Sequence, residues 1–500
     1  MHFLVFGAVV TNMDSAAISI TLLRSDERRP EAFLSADLTH KSATELVALI
    51  RSRAVSPVEV LEAHLKQIDA VNPSLNAIVT IAEDLFDRAR DAEDAIVKDR
   101  EVGPLHGLPI TIKDTIETKG LRTTAGSKLL SDNIPTRDAT VVARLKAAGA
   151  IILGKTNVPE MAAYYETDNP IFGHTNNPYN LTRTAGGSSG GEAAAIASCM
   201  SAAGIGSDLA GSIRLPAHFC GITGLKPTMG RVPVDGHIPA VEGSLSLGGN
   251  IGPLARTVAD LDLLFKVIGD GPFSPTASEI KGLRVAWYTN DGVTPVDNET
   301  ASAVERATNI LRDAGCQVVR EKPPGVSEGF GLWMDLFSRA VLRQLSEIYR
   351  GREREAGPQV SAMLAKLSAE DDDREGKIAE AEALANAVVA RERSRERLLR
   401  WMKTTPIIIA PVGATSAWPH GTKRLKVEGE SVSVFRAFSY SQTFNVFGLP
   451  AVSVPVTRSS DGLPIGVQII GRPFAEDEVL AAAKIIEAAG QGRAPLSVLL

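Results

Sequence analysis

The sequence predicts an α/β fold in a single large domain. Short apolar runs alternate with amphipathic stretches of helical period along most of the 500 residues, and this alternation is typical of strands and helices packed in layers. Hydrophobic residues make up 44% of the chain and aromatic residues only 5%, so we expect a large core of small aliphatic side chains. No internal repeat, low-complexity segment or linker divides the chain. We therefore expect one domain over residues 36–500, preceded by a partly disordered N-terminal extension over residues 1–35.

Three helices are predicted before the first strong strand. Ser42-Ala-Thr-Glu45 and Ser56-Pro-Val-Glu59 are capping boxes, in which a serine and a glutamate three residues later satisfy free backbone N–H groups at a helix start. Apolar residues follow each box at helical spacing, and a charged third helix is expected over about Asp84–Lys98. We expect these helices to pack around the body of the domain.

A lysine ends the first strong strand. A rigid loop over residues 103–109, rich in glycine and proline, leads into the short apolar strand Ile110-Thr-Ile112, which is followed by Lys113. Two interpretations of this lysine remain open at this point. Its ammonium group can extend from the strand end into water, or its amine can be buried with a lowered pKa, because burial disfavours the charged form.

A letter-for-letter phosphate-loop pattern, G-x-x-x-x-G-K-[ST], occurs at Gly149–Thr156. It follows a predicted helix over Ala139–Ala148, and its four variable residues read as a strand at Ala150–Leu153. A phosphate-binding loop needs these positions in a turn whose amides surround a phosphate. We therefore interpret the pattern as a helix stop followed by a buried strand.

The segment from Arg183 to Met229 carries the strongest signal of chemistry. A glycine-serine turn at Gly186–Gly191 leads into a predicted helix of small residues from Glu192 to about Ala203, and a second turn follows at Gly206–Ser212. Glycine allows a positive φ and lets backbone N–H groups approach a bound atom closely. Two such turns around one helix predict a hydroxyl-based site that faces backbone amides.

The rest of the chain continues the α/β pattern. Residues 328–402 are polar and helix-rich, and the charge-dense run Ala369–Lys377 within them is interpreted as a solvated face. The other predicted elements are helices over about Glu299–Ala314 and Glu476–Ala489 and strands at Lys281–Tyr288, Cys316–Val319, Pro406–Ala410, Ala451–Val456 and Ile465–Ile470.

Charge and cysteine content argue against several classes of protein. A net charge of −6 disfavours a nucleic-acid partner, and no apolar run approaches the ~18–20 residues that a membrane span needs. Three widely spaced cysteines do not form a disulfide framework, so a reducing, cytoplasmic location is expected. Phe3 to Val10 has the composition of a short signal core, but no lysine or arginine precedes it and Asp14 follows it. We interpret it as a frayed extension, or as residues that precede a true start at Met13.

No metal and no cofactor are predicted. The eight histidines show no H-E-x-x-H motif and no paired spacing, and the chain has no Cys-x-x-Cys pair. A histidine acting as general base stays open, because its partner need not be near in sequence. His106, His174 and His218 lie closest to the segments of interest, and we interpret each as a hydrogen-bonded structural residue.

Two serines compete for the role of nucleophile. Gly187-Ser-Ser189-Gly-Gly191 matches G-x-S-x-G, the nucleophile elbow of α/β-hydrolases, so an esterase using Ser189 is one alternative. That elbow requires an apolar strand directly before it, and the preceding residues Asn180–Ala185 do not read as a buried strand. A plain glycine-serine linker fits badly with the apolar helix that follows at once.

Seven short motifs run through the chain: Gly107–Asp114, Gly154–Asn157, Gly186–Gly191, Gly206–Arg214, Gly224–Thr228, Gly448–Pro455 and Gly462–Gln468. Together they resemble the amidase signature family of serine hydrolases, and the resemblance spans Ser42 to Ala489. It implies a central mixed β-sheet with helices on both faces. It also implies a small-molecule amide as the partner, with a homodimer left open.

The resemblance implies a Ser–cis-Ser–Lys site. Ser212 would be the nucleophile that forms an acyl-enzyme, and Ser188, preceded by a cis peptide from Gly187, would connect it to Lys113, the general base. Lysine serves as a base only when neutral, and lowering its pKa from ~10.4 to near 7 takes roughly 4 kcal/mol. Burial at a strand end is expected to supply much of this.

The resemblance further implies an oxyanion hole formed by the backbone amides of Leu209, Ala210, Gly211 and Ser212. Many members carry glycine where this chain has Ala210, so the hole is expected to be slightly stiffer. Ser189, Asp208 and Arg214 are interpreted as supports that fix the turns. The implied reaction is cleavage of a carboxylic amide to an acid and an amine or ammonia, with carbamates, anilides and esters as related substrates.

The substrate pocket is the least readable part of the sequence. Met161, Tyr164, Tyr165 and Gly187 are candidate substrate-binding residues, although plain core packing explains the side chains equally well. The family also includes the glutaminase subunit of a tRNA-dependent amidotransferase, which needs a partner chain and is kept as an alternative. A binding protein without activity is disfavoured, because both serines and the lysine are present.

Overall fold

The computed structural model describes residues 35–273, 279–367 and 374–490. Predictions for residues 1–34 and for most of the charged run 369–377 lie outside the described residues. The described helices are α1 (Ser35–His40), α2 (Ala43–Arg51), α3 (Pro57–Leu75), α4 (Leu85–Val97), α5 (Thr140–Ala147), α6 (Gly190–Ala197), α7 (Arg214–Cys220), α8 (Val258–Ile268), α9 (Asn298–Asp313), α10 (Gly329–Trp333), α11 (Arg339–Tyr349), α12 (Pro358–Leu364), α13 (Arg374–Met402), α14 (Ser439–Val446) and α15 (Glu476–Ala489).

The strands form one large sheet and two short ribbons. They are β1 (Ile78–Ile81), β2 (Pro109–Lys113), β3 (Ile151–Thr156), β4 (Asn176–Asn177), β5 (Asn180–Thr184), β6 (Ala203–Asp208), β7 (Thr223–Lys226), β8 (Asn250–Ala255), β9 (Arg284–Trp287), β10 (Gln317–Arg320), β11 (Ile407–Pro411), β12 (Arg424–Val427), β13 (Glu430–Ser433), β14 (Ala451–Arg458) and β15 (Pro464–Ile470).

Within the described residues the large sheet has eleven strands in the order β1-β3-β2-β6-β8-β7-β14-β15-β11-β9-β10. β2 pairs in parallel with both β3 and β6, whereas β8, β14 and β15 pair only with antiparallel neighbours. The sheet is therefore mixed. The prediction of a large α/β domain around a central mixed sheet is confirmed.

Helices cover both faces of this sheet. Successive side chains of β11 alternate between two buried clusters, with Ile407 and Ile409 in one and Ile408 in the other. The first cluster includes residues of α2, α5, α8, α9 and α15, and the second includes residues of α7, α13 and α14. Alternation of this kind is what a strand buried on both faces requires.

Local sequence signals place most elements correctly. The capping boxes at Ser42 and Ser56 both form, at the starts of α2 and α3. The phosphate-loop pattern at Gly149–Thr156 is a helix stop followed by β3, in which Lys155 is fully buried. The sequence does not predict β1, a four-residue strand that is recognisable only by its pairing with β3.

The helix predicted from Glu192 to about Ala203 ends earlier. α6 stops at Ala197, and Ala203 begins β6, which pairs with β2 and β8. β6 needs glycine at position 204, because a Cβ on Gly204 would lie 1.7 Å from Glu192 Oε1. Tertiary packing therefore overrides the helix propensity of this alanine-rich segment.

Gly204→Ala is expected to destabilise the protein. The added methyl group would meet the Glu192 carboxylate and the Thr111 carbonyl oxygen, 2.9 Å away. We expect the free energy of unfolding to fall by about 2–3 kcal/mol, as in other overpacked cores. Thermal unfolding followed by circular dichroism measures the effect. Gly331→Ala is the matched control, because a Cβ there meets no atom within 4 Å. Equal melting temperatures for the two variants would contradict the packing.

Candidate active site

Lys113 lies at the end of β2 with its side chain fully buried. Its Nζ lies 2.7 Å from Ser188 Oγ and 2.9 Å from Ser207 Oγ. It forms no ion pair within the described part of the chain. The interpretation that its ammonium group extends into water is therefore wrong, because the strand end is covered by the glycine-serine turn and by β6.

The pKa of Lys113 is lowered to about 7. Burial is the cause, since it disfavours the ammonium form, and the negative charges of Asp208 and Glu192 oppose the shift. Neither carboxylate forms a hydrogen bond with Nζ. A substantial fraction of the amine is thus neutral near pH 7, which is the form that accepts a proton.

Glu192 lies on α6 near this lysine but is held by other groups. The Thr156 hydroxyl donates to its Oε2 at 2.7 Å, and the Thr111 hydroxyl donates to its Oε1. Burial raises the pKa of Glu192 to about 7, and the two threonine hydrogen bonds and the charge of Lys155 limit the rise. These bonds fix α6 against β2 and β3, directly behind the serine turn.

The glycine-serine turn presents Ser188 to the lysine. The peptide between Gly187 and Ser188 is cis, as the resemblance implies. Thr167 holds the turn from both sides, because its hydroxyl donates to the Gly186 carbonyl at 2.8 Å and accepts from the Gly190 N–H at 3.1 Å. Ser188 is almost fully buried, yet it reaches the wall of a cavity.

Ser212 lies on the second turn, between β6 and α7, and lines the same cavity as Ser188. Gly211 before it has a φ of 105°, which favours glycine, and a Cβ there would lie 2.9 Å from Ser441. The Ser189 N–H donates to the Ser212 carbonyl oxygen at 3.2 Å. This bond ties the two serine turns together.

The predicted oxyanion amides divide into two groups. The Gly211 N–H donates to Asp208 Oδ1 at 2.8 Å, so this amide does not face the cavity as expected. The amides of Leu209, Ala210 and Ser212 donate no hydrogen bond to any described residue, and all three residues line the cavity. The Gly211 amide differs from the other three because the Asp208 carboxylate lies on the inner side of the turn and accepts the Gly211 N–H.

Asp208 and Arg214 form a fully buried ion pair beside Ser212. The Arg214 Nε–H and Nη2–H groups both donate to the carboxylate at 3.0 Å, and the guanidinium also donates to Gln468 and Asn445. Burial works to raise the pKa of Asp208, but the charge and hydrogen bonds of Arg214 outweigh it and hold the pKa well below its ordinary value. The carboxylate accepts from the Gly211 and Ile213 amides as well, which fixes the turn.

The cavity above the two serines has a volume of about 130 Å³ and is mainly apolar. Its polar lining is sparse, and neither lysine nor arginine is among the described lining residues. The larger apolar side chains that line it are Met161, Tyr164, Tyr165, Leu209, Val241, Leu245, Trp333, Val341, Leu345, Met363 and Phe435.

Three of the four predicted substrate residues, Met161, Tyr164 and Tyr165, line this cavity. Gly187 does not, because its Cα packs against the backbone of the preceding segment, where a Cβ would lie 2.7 Å from the Tyr165 carbonyl carbon. Trp333 supports the rim by donating its Nε1–H to the Leu209 carbonyl oxygen at 2.9 Å. Residues of the helix-rich middle of the chain therefore contribute to the pocket.

Ser189 lies behind the cavity. It is fully buried, and its hydroxyl faces the Ser207 backbone at 3.4 Å. The strand before it, β5, belongs to a short ribbon with β4 outside the large sheet. This arrangement differs from a nucleophile elbow, which exposes its serine at the end of a central strand.

Sequence reasoning misses two residues next to Lys113. Ser207 stands inside the motif Gly206–Arg214, and His237 lies 2.8 Å from its hydroxyl. His106, His174 and His218, which the sequence singles out, do not line the cavity. Only the loop sequence Gly236-His-Ile-Pro239 distinguishes His237, and nothing in it indicates contact with β6.

Comparison with known proteins defines the class of this protein. The chain belongs to the Amidase family, whose model matches residues 59–480. It is an amide-hydrolysing enzyme of the amidase signature type, so the family and the activity predicted from the motifs are confirmed.

Relatives and solved structures cover nearly the whole chain. An acylamidase of Rhodococcus erythropolis is 34% identical over 474 residues, covering 89% of this chain and 95% of the relative. A glutamyl-tRNA(Gln) amidotransferase subunit of Carboxydothermus hydrogenoformans is 34% identical over 483 residues, covering 90% and 97%. A bacterial aryl acylamidase of the amidase signature family has a TM-score of 0.79 at 26% identity, with 90% and 96% covered. A 6-aminohexanoate cyclic dimer hydrolase with bound substrate has a TM-score of 0.79 at 29% identity, with 93% and 100% covered.

No helix in residues 35–273, 279–367 or 374–490 has the length and hydropathy of a membrane span. Over the same ranges no group of three or more histidine, cysteine or acidic side chains is placed to hold a metal ion.

Asp208→Asn is expected to destabilise the fold strongly, because it leaves the buried Arg214 without its counter-charge. We expect a loss of about 3–5 kcal/mol in the free energy of unfolding, measured by chemical denaturation. Asp87→Asn is the control, since the Asp87–Arg90 pair is 2.6 Å apart but 77% and 62% exposed, and exposed pairs contribute little. A similar loss in both variants would contradict the assignment of Asp208 as the support of this turn.

Proposed function

We propose that the enzyme hydrolyses amides of apolar acyl or aryl compounds through an acyl-enzyme on Ser212, with Ser188 and Lys113 transferring the proton. The observation that carries the proposal is the 2.7 Å contact between Ser188 Oγ and the buried Nζ of Lys113. A serine hydroxyl is a weak nucleophile until a base removes its proton, and a neutral lysine amine is such a base.

In the acylation step, the neutral amine of Lys113 takes the proton of Ser188 while Ser188 Oγ takes the proton of Ser212. Ser212 Oγ forms a bond to the amide carbon, and the carbonyl oxygen becomes an oxyanion. The C–N bond then breaks, and the proton held by Lys113 returns through Ser188 to the leaving nitrogen. Water releases the acid by attacking the acyl ester, with the same groups transferring its proton in turn.

The amides of Leu209, Ala210 and Ser212 are placed to stabilise the oxyanion in this proposal. Removing one such donor typically costs about 3–4 kcal/mol of transition-state stabilisation. Their lack of other acceptors among the described residues means that they need not break a bond to serve. The hydrogen bond from Trp333 to the Leu209 carbonyl holds the same loop in place.

The cavity favours an uncharged, apolar acyl group. Its volume of about 130 Å³ is close to the ~150 Å³ of an apolar cavity that accommodates benzene. Aromatic and aliphatic side chains supply most of its wall, so an aryl ring or a short alkyl chain would lose water contact on binding. Anilides, carbamates and activated esters with such groups use the same oxyanion and are included in the proposal.

Glutamine hydrolysis for a tRNA-dependent amidotransferase is the second candidate, because several relatives are named for one subunit of that enzyme. Glutamine carries an α-carboxylate, which usually requires a cation in the pocket. The described cavity lining contains no lysine or arginine, and Asp208 is already paired with Arg214. The lining therefore favours uncharged amides.

A small-molecule substrate in the cytoplasm is part of the proposal, supported by three buried free cysteines. A homodimer stays a prediction.

Ser212→Ala and Lys113→Ala are each expected to lower kcat at least about a thousandfold. The first removes the nucleophile and the second removes the base, and the two groups act together with Ser188 in one proton-transfer chain. Initial rates are measured over aliphatic amides, anilides, carbamates, p-nitrophenyl esters and glutamine. Ser189→Ala serves as the matched control and is expected to lose far less, because its hydroxyl does not line the cavity.

A fluorophosphonate probe gives a second measurement on the same variants. Peptide mapping is expected to place the label on Ser212. Wild-type turnover in Ser212→Ala, or a label on Ser189, would contradict the proposal. Glutamine cleaved faster than every apolar amide would favour the second candidate.

The pH dependence of kcat/KM follows from the pKa of Lys113, about 7. The base is the neutral amine, so activity is expected to fall about tenfold per pH unit below pH 7 and to be level above it. Glu192→Gln should leave this acid limb nearly in place, because the pKa of Glu192 is also raised to about 7 and its carboxyl group is largely neutral below that pH. A profile without an acid limb between pH 5 and 8 would contradict lysine as the base.

A further inference from the structure

A loop after β7 places a histidine next to the second contact of Lys113. His237 Nε2 lies 2.8 Å from Ser207 Oγ, which lies 2.9 Å from Lys113 Nζ. The other ring nitrogen, Nδ1, lies 2.7 Å from the Pro239 carbonyl oxygen. A chain of hydrogen bonds therefore runs from the Pro239 carbonyl through His237 and Ser207 to the lysine.

Backbone hydrogen bonds hold this loop in register with the lysine. The Ile238 N–H donates to the Thr115 carbonyl at 2.7 Å, and the Glu117 N–H donates to the Gly236 carbonyl at 2.8 Å. Thr115 and Glu117 follow Lys113 closely in the chain. The imidazole ring thus has a fixed position relative to the amine.

The geometry assigns the tautomer of His237. A carbonyl oxygen can only accept, so Nδ1 must carry the proton that is donated to Pro239. In the neutral ring Nε2 then has a lone pair and can only accept. Its nearest donor is the Ser207 hydroxyl, and the Thr115 hydroxyl lies farther away at 3.3 Å.

This tautomer also fixes the direction of the next hydrogen bond. Because the Ser207 proton is donated to His237, the Ser207 oxygen faces Lys113 as an acceptor. The neutral amine of Lys113 has N–H groups to donate and a single lone pair. One N–H group of Lys113 donates to the Ser207 oxygen, so the lone pair is available to accept the hydroxyl proton of Ser188.

We propose that His237 is a positioning residue that acts through Ser207 to keep the lone pair of Lys113 directed at Ser188. This inference rests on the proposed function, in which Lys113 is the base. Without an acceptor at Nε2, the Ser207 hydroxyl is free to rotate and to donate its proton to the lysine lone pair. Ser207 then competes with Ser188 for the lone pair of Lys113. While Ser207 donates to that lone pair, the lysine cannot accept the proton of Ser188.

The charges around the network fit this role. Glu192 and Asp208 are the carboxylates that act on Lys113, and each is held by hydrogen bonds to other groups. Burial lowers the pKa of His237 to about 4, with a smaller lowering by the charge of Lys113 and a partial rise from the bond to Pro239. The ring is therefore neutral over the pH range in which the amine is an effective base.

His237→Leu removes the acceptor and is the direct test. We expect kcat on an anilide to fall about five- to tenfold with KM changed less than about twofold, the effect of one competing hydrogen bond. The neutral amine gains a bond from Ser207, so the acid limb of kcat/KM should move to lower pH by about half a unit. A lower kcat with the limb at its wild-type position would overturn the proposal, because a merely structural wall residue would give that result.

Coupling between the two residues separates this role from a general packing effect. In a Ser207→Ala background the same His237→Leu change should alter kcat less than about twofold, because the relay is already absent. Equal losses in both backgrounds would overturn the proposal. His237→Gln offers an amide oxygen as acceptor and is expected to stay within about threefold of wild type. A folded glutamine variant with the leucine phenotype would count against the inference.

Val241→Ala is the matched control, because it alters the cavity wall without touching this network. It is expected to raise KM for apolar substrates and to leave the acid limb in place. A limb shift equal to that of His237→Leu would overturn the proposal. The proposed function fails separately, if wild-type enzyme cleaves no amide and takes no fluorophosphonate label on Ser212.

Discussion

The site depends on the burial of one amine, that of Lys113, which contacts no carboxylate in the part of the chain that the structure describes. Moving an ammonium group out of water costs several kcal/mol unless an opposite charge compensates. Among the described residues, the polar contacts of Lys113 Nζ are the hydroxyl groups of Ser188 and Ser207, and burial without a contacting carboxylate lowers its pKa to about 7. A carboxylate at hydrogen-bond distance would stabilise the ammonium form and remove the base.

The sheet provides this environment through the parallel pairing of β2 with β6. Parallel strands end at the same edge, so the lysine at the end of β2 contacts Ser207 near the end of β6, and Asp208 acts on it through its charge alone. Ligand sites of α/β proteins commonly lie at such an edge. The turn before α6 then covers the lysine, and the turn after β6 brings Ser212 to the same cavity. The strongest nearby negative charge, Asp208, is paired with Arg214 and fixes the loop.

Sequence reasoning recovers the elements whose signals are local. Two capping boxes begin their helices where expected, and the apolar run before Lys113 is a strand. It is wrong where a distant residue decides the local structure. The alanine-rich segment after Glu192 becomes a strand because β2 and β8 pair with it, and Gly204 permits the close approach of the Glu192 carboxylate. The resemblance also gives no sign that the Gly211 N–H is bonded within its own turn, to the carboxylate of Asp208 three residues earlier.

The sequence by itself determined the family and the two glycine-serine turns that carry Ser188 and Ser212, because these lie in contiguous motifs. Only the tertiary structure decided that Lys113 is buried, that Gly187 packs against backbone and away from the cavity, and that His237 contacts Ser207. Each of these depends on residues far apart in the chain whose approach is set by strand order and loop packing. The pKa of Lys113 and the direction in which the Ser207 hydroxyl donates its proton depend on the residues packed around them. No local sequence pattern specifies those neighbours.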